Sequence, residues 1–223
     1  MILQLDNVHY QYKSRYQTVQ AVRGVSYGFE AGKVYSIMGK SGCGKTTLLS
    51  LLGGLMLPSE GAVQVEGSAT AAMDCSRLRR EKISLIYQNF NLFPWLTVEE
   101  NVAYPLLIRN TGRAEALRLA HSCLEKVELK PEQYQRLPKT LSGGEQQRVA
   151  IARTLASGCP IVLADEPTGN LDSANSQNIV EILQALAHRE NRCVIIVTHD
   201  PAVAERSDVS IQMKDGQFVS EAS

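Results

Sequence analysis

Lys45 and Thr46 close the octapeptide Gly39-Lys40-Ser41-Gly42-Cys43-Gly44-Lys45-Thr46, which fits the pattern G-x-x-x-x-G-K-[ST]. Glycines at 39, 42 and 44 free the backbone to curl so that successive N–H groups point inward and form an anion-binding concavity. Lys45 adds a point charge for the β- and γ-phosphates of a nucleotide, and the Thr46 hydroxyl is a Mg²⁺ ligand. A second pair of reactive groups, Asp165 and Glu166, directly follows the apolar run Ile161-Val162-Leu163-Ala164. Open α/β sheets bind ligands at the carboxyl ends of such strands. An acid there can hold Mg²⁺ beside Thr46; with Asp165 committed to the metal, Glu166 is the better general base for water. The competing reading of the acid pair is a helix N-cap. A third stretch, Ser142-Gly143-Gly144-Glu145, is a capping box whose two glycines leave the first backbone N–H groups of a helix bare. It is either an ordinary N-cap or a second anion site, which a single phosphate loop does not require.

The elements around these residues suit that chemistry. Lys33–Met38 is an apolar, strand-like run before the loop, and Thr47–Leu52 is helical after it, so a helix N-terminus adds its dipole to the phosphate site. Alternation over residues 2–12 and 25–30 predicts two antiparallel strands ahead of the loop. Pro58-Ser59-Glu60-Gly61 is a turn, residues 62–67 another alternating strand, and Ile83–Tyr87 a buried strand ending at Gln88. Thr97 and Glu100 form a capping box; Leu117, Ala120, Leu124 and Val127 keep helical spacing from Arg113 onward. Residues 90–157 therefore read as a helical insertion, with Val149–Ala156 a good helix and Gly158-Cys159-Pro160 its end. Ile161–Ala164 and Cys193–Thr198 have the pattern of parallel strands buried on both faces. Ile179, Ile182, Leu183 and Leu186 mark the helix between them. Asp200-Pro201 starts a further helix, and Lys214-Asp215-Gly216 is a hairpin turn. The expected fold is α/β with a mostly parallel sheet. It is a single domain over 1–223, with a core and antiparallel part in 1–89 and 158–223 and a helical part in 90–157.

The chain has 223 residues and zero net charge, from 23 basic and 23 acidic residues, so no global field recruits nucleic acid. The basic run 77–82 is a solvated helix face, lacking the aromatic residues needed for base stacking. Five scattered cysteines, without C-x-x-C spacing, suit buried or inert thiols in a reducing compartment. The N-terminus lacks the basic n-region of a signal peptide. The longest uncharged run, Thr46 to Ser59, is broken by Gly53-Gly54 and is shorter than the roughly 20 residues a bilayer takes. Work at a membrane would require docking onto something that spans it.

Leu141–Gln147 resembles the signature motif of the ATP-binding cassette (ABC) ATPases, and its combination with 39–46 and 165–166 is highly specific. The resemblance covers nearly the whole chain and implies a P-loop NTPase core with an antiparallel β-subdomain and a helical subdomain. It implies that Tyr12, chosen from Tyr10, Tyr12 and Tyr16, stacks on adenine. It further implies that residues 39–46 with Thr47 bind ATP, that Gln88 joins Thr46 and Asp165 at Mg²⁺, and that residues 169–172 form the D-loop. It also implies that Glu166 polarises water and that His199 is the switch histidine. In that family two cassettes close head to tail on ATP, so Ser142, Gly143, Gly144 and Gln147 would reach the partner's nucleotide. The longer strings around residues 141–153 and 163–172 resemble the macrolide-exporter, lipoprotein-release, antimicrobial-peptide-resistance and cell-division group, whose members work with a separate permease. Residues 88–101, with Phe90, Leu92, Phe93, Pro94 and Trp95, resemble the groove that receives the permease, and location at the cytoplasmic face of a bacterial membrane follows. Gly67–Ile83 is short for that group, which implies a trimmed edge of the antiparallel sheet.

The rivals are a soluble ABC ATPase of DNA repair or translation, a non-transporting regulator of cell-division type, and an ordinary P-loop kinase or GTPase. The first usually carries coiled-coil insertions or two cassettes, and the last leaves Leu141–Gln147 and His199 unexplained. Only the partner's identity separates the second from transport.

Overall fold

The computed structural model describes residues 1–169, 171 and 173–222. Asn170 and Asp172 of the expected D-loop lie outside them. The chain opens with β1 (Leu3–Lys13) and β2 (Thr18–Phe29), paired antiparallel from Leu3↔Phe29 to Lys13↔Thr18 with three register shifts. Sequence alternation finds β2 only from Val25, because residues 18–20 face solvent and give no apolar period. β3 (Val34–Met38) leads through the glycine loop into α1 (Lys45–Leu52). β4 (Glu60–Val65) and the two-residue β5 (Ser68–Ala69) complete an antiparallel sheet of order β2-β1-β4-β5. Its β5 edge is two residues long.

α2 (Cys75–Glu81) and β6 (Ile83–Ile86) precede three helices, α3 (Val98–Leu107), α4 (Arg113–Lys126) and α5 (Gly143–Ser157). Then come β7 (Ile161–Asp165), α6 (Ser173–Glu190), β8 (Cys193–Thr198), α7 (Pro201–Glu205) and the hairpin of β9 (Val209–Lys214) with β10 (Gln217–Ala222). The larger sheet runs β10-β9-β3-β8-β7-β6 and is parallel from β9 to β6.

That parallel sheet separates two apolar cores, and the two-residue period of its strands feeds both. Ile161 and Leu163 of β7, with Ile195 and Val197 of β8, pack toward α1 and the antiparallel sheet. Val162, Ala164, Val194 and Ile196 pack toward α3, α4, α5 and α6. Each fully buried Leu, Ile or Val stabilises by about 1.5–3 kcal/mol over its exposed state. The layering holds the carboxyl ends of β3 and β7 side by side across β8, where the phosphate loop and the acid pair emerge. Cys159 and Cys193 are buried, and burial pushes the Cys193 thiol up to about 12, so these thiols are inert.

Candidate functional site

The phosphate loop leaves β3 and enters α1 through Gly44, which has φ 107° and caps the helix without any side chain. A Cβ at Gly44 would lie 2.2 Å from the Ala21 carbonyl oxygen, so only glycine fits. Lys45, the first residue of α1, is buried and turns back into the curl, donating to the carbonyls of Gly39 (2.6 Å) and Lys40 (3.2 Å). The α1 amides that lack an intrahelical partner thus share the loop with an ammonium group, which is the charge arrangement a polyphosphate requires.

A cleft of about 910 Å³ opens over this loop. Lys40–Thr47, Tyr12, Gln88, Asp165, Glu166 and His199 all line it, so positions separated by up to 187 residues meet in one place. Gly39 does not line it; a Cβ there would meet the Met213 carbonyl oxygen at 2.4 Å, so Gly39 packs the loop closely against β9. Tyr12 is half-exposed, its hydroxyl 3.2 Å from Thr47 Oγ1, with Tyr10 edge-on behind it. Tyr16 is 93% exposed and outside the cleft lining.

At the far end of the cleft the Thr46 hydroxyl donates to Asp165 Oδ1 at 3.4 Å. Burial raises the Asp165 pKa, opposed by the Thr46 hydrogen bond and reinforced by the charge of Glu166. A hydroxyl and a carboxylate are the hard oxygen donors Mg²⁺ takes, and a carboxylate short of its usual hydration gains from a cation. Among the described residues, no group of three or more His, Cys, Asp or Glu side chains forms a ligand cluster, so water and phosphate oxygens would complete the shell.

Glu166 follows β7 with a left-handed φ of 46°, its N–H donating to the Val197 carbonyl at the end of β8. Its carboxylate is gripped on both oxygens. Thr198 Oγ1 donates to Oε2 at 3.3 Å, and His199 Nδ1 lies 2.9 Å from Oε1. Thr198 in turn accepts the N–H of Asp200, which fixes its rotamer. Sequence reasoning missed Thr198; a hydroxyl ending an apolar strand beside a candidate histidine was its only signal. It also missed Val19–Ala21 and Arg23 of β2, with Asp215 and Gly216 of the hairpin, which line the cleft and carry no motif.

The second candidate anion site lies elsewhere. Ser142 Oγ accepts the Glu145 N–H at 3.3 Å while the Glu145 carboxylate accepts the Ser142 N–H at 2.7 Å. This N-terminus of α5 is absent from the cleft lining and borders a separate hollow with Gln133, Arg136 and Arg148. Gln147 does not accompany it: the side chain is 1% exposed, and both amide atoms are buried without a hydrogen-bond partner among the described residues. The helical face that carries Gln147 turns into the protein, away from the hollow that Ser142 borders. The 88–101 segment is also divided. Phe93 and Trp95 are exposed (Trp95 84%), and Leu92 packs on the core. Asn101 is fully buried: its side chain bonds both backbone groups of Phe93 and the carbonyls of Leu96 and Thr97.

Comparison with known proteins gives a consistent picture. Residues 22–169 match the family model described as ABC transporter. The chain is 40% identical over 217 residues to the uncharacterized ABC transporter ATP-binding protein YclH of Bacillus subtilis, covering 97% of this chain and 95% of that one. It is 39% identical over 221 residues to the macrolide export ATP-binding/permease protein MacB of Shigella flexneri, covering 98% of this chain and 34% of that longer protein. The dimeric structure of the cassette MJ0796 superposes with a TM-score of 0.93 at 40% identity, covering 99% of this chain and 97% of that one. A dimeric post-hydrolysis state of MJ0796 bound to ADP and Pi matches equally well, at TM-score 0.93.

Proposed function

The chain belongs to the ABC transporter family, and from that premise we propose that it is the ATP-binding and ATP-hydrolysing subunit that drives a separate membrane permease. Among the described residues no helix is long and apolar enough to cross a membrane. In this reading the subunit sits at the cytoplasmic face, and residues 90–157 form a helical subdomain set on the rest.

The observation that carries the reading is that the phosphate loop and the bare N-terminus of α5 border two separate hollows. Two copies arranged head to tail would place the α5 N-terminus of each against the nucleotide on the other's phosphate loop. Lys45 and the loop amides hold the β- and γ-phosphates, and Tyr12 stacks on the base. Thr46, Asp165 and Gln88 hold Mg²⁺, which neutralises charge on the phosphates when bound. Glu166 accepts a proton from, or polarises, the attacking water, and His199 and Thr198 keep its carboxylate turned into the cleft. Ser142, Gly143 and Gly144 of the partner donate to the γ-phosphate and complete the site, so ATP is fuel and dimerising ligand together. Catalysis is then mainly positioning and charge stabilisation, as in other phosphoryl transfers. The exposed Phe93 and Trp95, with Tyr104 packed on the Phe93 ring, supply the apolar face for the permease.

Glu166→Gln tests this. It keeps the hydrogen bonds of the carboxylate in part and removes the base, so the variant should form a stable dimer with Mg²⁺-ATP and lose turnover by about 10²-fold or more. Sedimentation with and without ATP reads the dimer, and phosphate release reads turnover. A variant hydrolysing ATP at the parent rate would remove Glu166 from the mechanism.

A further inference from the structure

Two helices hold the segment between Gln88 and α3, and they grip it differently. Asn101 of α3 pins its second half, residues 93–97, from a fully buried position. The first half is held from α5. Arg153 Nη1 donates to the Asn91 carbonyl at 2.8 Å and Nη2 to the Phe90 carbonyl at 3.1 Å. The same guanidinium lies 5.9 Å from the centre of the Phe93 ring. Burial holds the Arg153 pKa below its usual value, though the group stays charged.

The backbone under that fork is unusual. Phe90 and Asn91 have φ values of 60° and 45°, two consecutive non-glycine residues in the left-handed region. For a bulky residue such as Phe this conformation persists only when the surroundings over-determine it. Local bonds are sparse: the Phe90 N–H reaches the Tyr87 carbonyl at 3.0 Å, and the Asn91 N–H reaches back to Asn89. The planar fork of Arg153 on two adjacent carbonyls supplies the missing constraint.

Arg153 stands 11 residues after Ser142 on one helix, about three turns, and Val149, Ala150, Ile151 and Ala152 of that helix are buried. α5 is thus one packed element that joins Ser142 to Arg153. Gln88, two residues before the bend, lines the nucleotide cleft; Arg153 does not.

We propose that Arg153 is a positioning residue that ties the helix carrying Ser142 to the Gln88 segment. A displacement of α5 when its N-terminus meets the partner's nucleotide is carried by the guanidinium into the bend at Phe90 and Asn91. From there it reaches Gln88 in the cleft on one side and the exposed Phe93 and Trp95 on the other. The proposal rests on the two-copy reading above, since the partner's nucleotide supplies the load on α5; it does not depend on where a permease docks.

Amide hydrogen exchange over residues 88–96 of the isolated protein tests it, with and without Mg²⁺-ATP, in a Glu166→Gln background that holds the nucleotide. The parent should show ATP-dependent exchange in this segment. Arg153→Met keeps the buried stem and removes the fork, so exchange at 88–96 should quicken about tenfold without nucleotide and should no longer respond to ATP. Sedimentation should still show ATP-dependent dimers of this variant. Arg153→Lys, a point charge that cannot fork, should fall between the two. Phe90→Gly added to Arg153→Met relieves the left-handed strain of the bulky residue, so exchange should slow again while the response to ATP stays lost. Should Arg153→Met fail to fold, Arg153→Lys alone decides: a full ATP response in it overturns the fork. If the Glu166→Gln parent does not dimerise on ATP, the two-copy reading falls and the load on α5 with it. If it does dimerise and the Arg153→Met segment answers ATP as the parent does, the proposal alone falls.

Discussion

The N-termini of α1 and α5 are the two candidate anion sites, and they are built in opposite ways. α1 starts at a left-handed glycine with no side-chain cap, no acid in its first turn and Lys45 folded into the loop. α5 starts at an extended Ser142, and Glu145 sits in its first turn, closing the capping box. α3 shows what that box is when it is only structural. Thr97 and Glu100 make the same pair of bonds, but Val98 and Glu99 follow the cap and are buried. At α5 the corresponding positions are Gly143 and Gly144, only partly buried, with no side chain over their amides. The difference sets an order of events. α1 adds a cation to its amides and binds phosphate within one chain. α5 adds a carboxylate, so in the proposed two-copy reading it takes an anion that another chain's lysine already holds.

Removing the cation should have the largest effect. Lys45→Ala deletes charge-assisted contacts worth about 1.5–3 kcal/mol each, so the affinity of the isolated chain for ATP should fall by about 10²-fold or more. Equilibrium binding at concentrations too low for dimerisation measures it. Parent-like affinity would put the phosphates somewhere other than this loop.

A matched pair of cap variants separates α5 from α3. Ser142→Ala and Thr97→Ala should each lower stability by about 1 kcal/mol, the usual value of an N-cap hydroxyl. Neither should change ATP binding by the isolated chain. Ser142→Ala should also weaken ATP-dependent association of the Glu166→Gln protein by about 10-fold or more, since it loses a hydrogen bond to a charged phosphate. Thr97→Ala should leave association as it was. Equal losses in both would make Ser142 a structural cap and nothing else.

Much of this was legible in the sequence because the signals are local. The phosphate loop is contiguous, the acid pair directly ends a strand, and each capping box spans four residues. What was not legible depends on neighbours far along the chain. Which side of α5 faces inward decides that Gln147 is buried, and only the packed structure sets that side. Arg153 reaches carbonyls 62 and 63 positions away, and carbonyls carry no sequence signature. The first half of β2 lines the cleft at Val19, Ala21 and Arg23, yet its alternation is too weak to mark a strand. The strand-end position of Thr198 is readable, but its bond to Glu166 follows from the register of β7 against β8.

The carboxylate in the first turn of α5 offers the finest test of the comparison. The Ser142 N–H lowers the Glu145 pKa, as the Thr97 N–H lowers that of Glu100, each against a smaller cost of burial. A folded-state value below the unfolded one means that the stabilisation is present above about pH 4.3 and is lost as pH falls through the folded value. Glu145→Gln keeps an oxygen for the Ser142 N–H and removes the titration, so the acid limb of a Tm–pH curve should flatten for this variant while the contribution of Glu100 remains. At neutral pH the same change removes a negative charge from the terminus that must receive a phosphate. A charge at a helix end is worth about 0.3–1 kcal/mol, so ATP-dependent association should tighten by about two- to fivefold. That gain should shrink as salt is raised, because the interaction is partly exposed and screened. If Glu145→Gln instead weakens association, the carboxylate serves the partner's nucleotide site by holding the α5 cap in shape, and its charge does not set the order in which the two helix ends engage ATP.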